Sequence, residues 1–127
     1  MGQFVLVGVG GFLGSALRYY LSGLIQSLTK SYSFPYGTLG VNIAGCLLIG
    51  ALSELAEARG LLSPEARLVL IVGLLGGFTT FSTFANESLN LIRLGQVLPA
   101  ILNVLTSVSL GLMAAWAGRL LAHALWR

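Results

Sequence analysis

The chain has 127 residues, of which 56% are hydrophobic and only 9% charged, with a net charge of +3. A soluble domain carries about 25% charged residues. A mean hydropathy of +0.89, with apolar stretches that recur at bilayer-crossing length, points instead to a single integral membrane domain over residues 1–127. So small and scattered a charge excludes a nucleic-acid partner, and the lone cysteine, Cys46, excludes an intrachain disulfide.

The first predicted span covers residues 4–25, close to the ~20 residues a helix needs to cross the hydrocarbon. It lacks a basic leading segment and exceeds a typical signal core, so it reads as a retained span. Gly10 and Gly14 form a GxxxG pair beside Gly8 and Gly11, a face for close helix contact. Arg18 lies inside the span; it either turns to the bundle interior or a water-filled cavity, or snorkels to the nearby helix end.

A polar connection over residues 26–35 carries Lys30 and ends at Phe34-Pro35, through which no helix runs. The second span covers residues 36–55. Thr38 and Asn42 are four apart and share a face. A buried carboxamide needs partners for both donors and acceptors. Asn42 therefore either bonds a neighbouring helix or aims its NH2 into a pore, where it donates to an anion. Cys46 reads as packing.

Residues 54–67 are the most charged part of the chain and read as an aqueous loop, ending in the helix start Ser63-Pro64-Glu65. The third span is apolar over residues 68–75 and then meets Gly73-Leu-Leu-Gly-Gly-Phe-Thr-Thr-Phe-Ser-Thr-Phe84. Three glycines and χ1-stiff Thr79, Thr80 and Thr83 disfavour an unbroken helix, and hydroxyls offer the backbone other bonds. In a membrane an unwound backbone survives only where protein buries it or it lines a watery cavity. The break is thus read as a site near the bilayer midplane. Free carbonyls near Gly76 suit a cation such as Na⁺, and free N–H groups of the second half suit anions. The helix is expected to resume over residues 84–94, with Asn86, Glu87 and Asn90, and to stop at Gly95.

The fourth span covers residues 98–117, with a polar small-residue stripe of Asn103, Ser107 and Gly111. An amphipathic tail follows with Arg119, His123 and Arg127. Four spans place Arg59, Arg67, Arg119 and Arg127 on one side and Lys30 and Arg93 on the other. That asymmetry is weak enough to allow insertion in both orientations.

Enzymatic constellations are absent: the chain holds no HExxH, GxSxG, Walker loop or cysteine pair. What remains is a pore of weak donors. Phe78, Phe81 and Phe84 recur every third residue, and an aromatic edge offers slight positive charge to an anion without holding it tightly. Core packing is the plainer reading of such a stripe. A small dual-topology exporter of cationic drugs is the alternative function, with Glu87 as its membrane carboxylate.

With these residues assembled, the chain resembles the Fluc/CrcB family of fluoride channels. The resemblance rests on Gly11-Phe-Leu-Gly14-Ser-Ala-Leu-Arg18, Gly37-Thr-Leu-Gly-Val-Asn42 and Gly76-Gly-Phe-Thr-Thr-Phe-Ser-Thr-Phe84, and it spans essentially the whole chain. It implies an all-α protein of four transmembrane helices, the third broken, assembled as an antiparallel dual-topology homodimer in the lipid of the bacterial inner membrane. Two pores would pass fluoride out of the cell, where it is trapped after entering as HF. A structural Na⁺ would sit on the dimer axis, held by backbone carbonyls at Gly76 and Thr79. Asn42, Phe81 and Phe84 match the family's pore residues, and Ser82 and Thr83 match hydroxyls beside the pore. Asn103 and Ser107 match a polar track, although some relatives carry an aromatic residue in place of Asn103. Glu87 matches an acid beyond the phenylalanines, with Thr38 on the Asn42 face, and Arg18 matches an arginine of structural or vestibular role.

Overall fold

The computed structural model describes residues 1–31 and 33–126; Arg127, counted above with the tail, lies outside the described residues. Four helical segments are long and apolar enough to cross a membrane: Gly2–Thr29, Tyr36–Ala58, Pro64–Arg93 and Val97–Leu125. We label the first two α1 and α2 and the last α5. Within Pro64–Arg93, α3 is the right-handed rod of residues 64–78 and α4 is Phe81–Arg93. The expected all-helical protein with four candidate spans is present.

Several expected boundaries move, the first being the end of α1, which runs on to Thr29 rather than stopping at residue 25. Glu54–Ala58 is not loop but a π-type continuation of α2, so the connection is short and turns at Gly60, whose φ of +63° suits glycine. The acids are tolerated on a helix because they have partners. Arg119 reaches Glu57 at 3.1 Å and Glu54 at 3.6 Å, and His123 Nδ1 lies 3.2 Å from Glu54. For the same reason Arg119 and His123 stay on α5 rather than forming a separate tail. The start of α3 is as expected: Pro64 opens the helix and the Ser63 hydroxyl accepts from the Ala66 N–H at 3.1 Å.

Two close pairings build the bundle, α1 against α3 and α2 against α5. Lipid tails are as apolar as leucine, so membrane helices associate through tight packing of small residues rather than through apolar burial. A Cβ added at Gly10 would meet the Val69 carbonyl oxygen, and one at Gly14 the Leu74 carbonyl oxygen. On α3, a Cβ at Gly73 would stand 2.7 Å from the Val7 carbonyl oxygen, and one at Gly77 2.7 Å from that of Gly11. The GxxxG face is therefore a packing face, and its partner is α3. Gly50 and Gly118 play the same part between α2 and α5, against the carbonyls of Ala115 and Leu47. Outside, large apolar side chains such as Phe4, Phe12 and Leu112 are exposed, as suits contact with lipid.

Candidate functional site

Between α3 and α4 the backbone leaves helical geometry for two residues. Thr79 has φ −96° and ψ 154°, and Thr80 has φ −152° and ψ 122°. The first rod ends at Phe78, later than Gly76, because the Thr79 N–H still reaches the Leu75 carbonyl at 3.0 Å and its hydroxyl donates to the same oxygen at 2.9 Å. The second begins at Phe81, not Phe84. The Thr80 hydroxyl accepts from the Thr83 N–H at 3.3 Å and so caps the new helix three residues earlier than expected. That same hydroxyl sits 3.2 Å from Ser82 Oγ and 3.3 Å from Thr83 Oγ1. Ser82 and Thr83 thus belong to a hydroxyl cluster at the start of α4.

Asn42 holds the extended peptide at both ends. Its Nδ2 donates to the Thr80 carbonyl at 3.2 Å and its Oδ1 accepts from the Thr80 N–H at 3.0 Å. One amide hydrogen stays uncommitted in these bonds. The interhelical role weighed for this asparagine is present, and it leaves a donor over.

Arg18 turns inward: its Nε donates to the Gly77 carbonyl at 3.0 Å. A cation at a helix C-terminus meets the negative end of the peptide dipoles, so the guanidinium and the end of α3 compensate one another.

A cavity of about 410 Å³ opens beside the break. Asn42, Gly76, Thr79, Phe81, Phe84 and Ser107 all line it, together with Cys46 and apolar residues of α2, α3 and α5. The rings of Phe81 and Phe84 lie 5.6 Å apart and tilted by 47°. Phe78, third in the stripe, is a core residue at 5% exposure, whereas Phe81 is 80% exposed in the single chain. The stripe therefore divides between packing and cavity.

Six of the predicted residues, Arg18, Thr38, Ser82, Thr83, Glu87 and Asn103, stand off the cavity wall. The Thr38 hydroxyl donates to Glu87 Oε1 at 2.7 Å, while the buried Oε2 has no partner among the described residues. Asn103 is 1% exposed, and its Nδ2 donates to Ser88 Oγ at 2.9 Å. Ser88 in turn donates to the Phe84 carbonyl at 2.8 Å. Asn103 thus steadies the turn that carries Phe84. Asn103→Ala is expected to lower stability by about 1–2 kcal/mol by removing the buried bond that Ser88 accepts, read as an earlier thermal melt in detergent; an unchanged melt would remove it from this role. Sequence reasoning passed over Thr80 and Ser88 as site residues. Thr80 did carry a signal, a hydroxyl three residues before Thr83 at a helix start. Ser88 carried none beyond its spacing from Phe84.

The residues at the break fit a cation held by carbonyls. The Thr80 N–H is spent on Asn42, so it does not close a helical bond to Gly76 four residues back. The Gly77 and Thr80 carbonyls are taken by Arg18 and Asn42. Those of Gly76, Phe78 and Thr79 have no donor in the turn and side-chain bonds among the described residues.

Residues 5–119 match the family described as CrcB-like protein, Camphor Resistance (CrcB). A protein of Methylobacillus flagellatus named fluoride-specific ion channel FluC is 47% identical over 118 residues, 93% of this chain and 92% of its own length. A protein of the same name from Elusimicrobium minutum is 47% identical over 91% of this chain and 90% of its own. One from Methanosarcina acetivorans, named fluoride-specific ion channel FluC 1, is 41% identical over 96% and 92%. The match takes in the α1 glycines and Arg18, Asn42 and the whole interruption with its two phenylalanines; this chain belongs to the CrcB family.

Proposed function

We infer that the protein is a fluoride-specific ion channel that lets fluoride leave the cell passively across the membrane it spans several times. The observation that carries this reading is full-length similarity, 47% over 93% of the chain, to a fluoride-specific channel. The break supports it: two half-helices, α3 and α4, would meet near the midplane and supply carbonyls on one side and N–H groups on the other. Fluoride is small and tightly hydrated, so a pore must replace its water with several donors, none strong enough to keep it. The spare amide hydrogen of Asn42, the hydroxyls of Ser82, Thr83 and Ser107, and the edges of Phe81 and Phe84 are such donors.

Two copies inserted in opposite directions would complete the assembly, with two pores. The exposure of Phe81 and the open cavity beside the break suit an uncovered face of this kind. Carbonyls of Gly76 and Thr79 would hold a structural Na⁺ between the copies, where the ion supplies positive charge that backbone dipoles alone lack.

The test is purified protein in liposomes, read with a fluoride electrode beside a chloride control. Steady fluoride efflux down its own gradient, with no proton gradient and with little chloride efflux, is expected. Efflux that demands a proton gradient, or none at all, would overturn the channel reading, the first in favour of a coupled exporter using Glu87.

A further inference from the structure

We propose that Asn42 is the positioning residue of the cation seat: its carboxamide takes both ends of the Thr80 peptide and thereby keeps the Gly76 carbonyl open for an ion. The inference rests on the proposed Na⁺ at Gly76 and Thr79 and goes beyond it by naming what prepares that site.

The physical reason lies in competition for one N–H. In a continuing α-helix the Thr80 N–H would donate to the carbonyl four residues back, that of Gly76. Gly76 itself is still helical, with φ −61° and ψ −36°, so its carbonyl points along the axis toward that donor. Asn42 Oδ1 takes the Thr80 N–H at 3.0 Å and Nδ2 takes the Thr80 carbonyl at 3.2 Å, the two-point pairing a neighbouring strand would offer an extended residue. A side chain from α2 thus stands in for a strand, and the unwinding is held by a specific pair of bonds. Arg18, from α1, performs a related subtraction on the Gly77 carbonyl at 3.0 Å. What the other helices occupy removes the Gly77 and Thr80 carbonyls from those a cation could use. Residues that orient metal ligands without touching the metal commonly change affinity 10- to 100-fold when replaced.

Substitutions separate the two halves of the carboxamide. Asn42→Asp keeps an acceptor for the Thr80 N–H and loses the donor, so it should keep the cation seat while losing fluoride flux. Asn42→Leu loses both. The experiment is thermal unfolding of each purified protein across a sodium titration, with N-methyl-glucamine holding ionic strength, together with carbon chemical shifts of labelled Thr80 in sodium-free buffer. Wild type and Asn42→Asp should show sodium-dependent melting with midpoints within about threefold of each other, and extended-type Thr80 shifts. Asn42→Leu should need at least about tenfold more sodium, and its Thr80 shifts should leave the extended range. A wild-type melt indifferent to sodium would overturn the sodium reading itself. A sodium response with Asn42→Leu at the wild-type midpoint, or Thr80 still extended there, would overturn the positioning role alone. Should Asn42→Leu not fold, Asn42→Asp decides: a folded protein that has lost the sodium response rejects the proposal, and one that keeps it without fluoride flux supports it.

Discussion

Phe81→Ile combined with Phe84→Ile is expected to reduce fluoride efflux from liposomes to that of protein-free vesicles. Isoleucine keeps an apolar side chain of moderate size but has no ring, hence no positive edge to present to an anion. The fold should survive, because Phe81 is 80% exposed and contributes little to the core of the single chain, whereas Phe78, which does pack there, is untouched. Circular dichroism and size-exclusion profiles should therefore match wild type while the electrode signal disappears. A double variant that still conducts fluoride would return both rings to a packing role, and with them the anion-donor account of the cavity.

Gly14→Ala should be among the most damaging changes available to the fold. The added Cβ would overlap the Leu74 carbonyl oxygen, with Phe78 N another 3.0 Å away. Both obstacles are backbone, so no rotamer change relieves them and α1 must move off α3. Overpacked cores typically lose about 1–3 kcal/mol, and a helix displaced along its contact face belongs at the upper end of that range. Gly8→Ala is the control: on the same helix, nothing lies within 4 Å of its Cβ position, and a shift within about 0.5 kcal/mol is expected. The comparison is a thermal melt of each variant in one detergent. Equal melting of the two would mean that the α1–α3 contact yields easily and does not hold the bundle.

These cases also mark how far the sequence could be read. Four apolar stretches declare four spans because each must satisfy its own backbone in lipid, and the GxxxG spacing declares a close-packed face. Neither names the neighbour: that Gly10 and Gly14 meet α3 is a matter of tertiary arrangement. The local unwinding was legible from Gly76 to Thr83, since glycine, β-branching and hydroxyls all oppose a helix there. Its two-residue extent was not, because Asn42 and Thr80, 38 positions apart, settle it together. The charged stretch from Glu54 was misread as loop for the same reason. Its compensating partners, Arg119 and His123, lie more than sixty residues away, and no local pattern announces them.

Arg18 and the end of α3 depend on one another. A guanidinium within a bilayer and a helix that stops short of the far side are each disfavoured alone, by about 2.5–3.5 kcal/mol for the arginine on insertion scales. The 3.0 Å bond to Gly77 lets each excuse the other. Losing one partner should then be worse than losing both, a sign-changing epistasis. Across descendants of this gene, the two features should be inherited or discarded jointly, and a lineage that straightened this crossing would be free to shed its arginine.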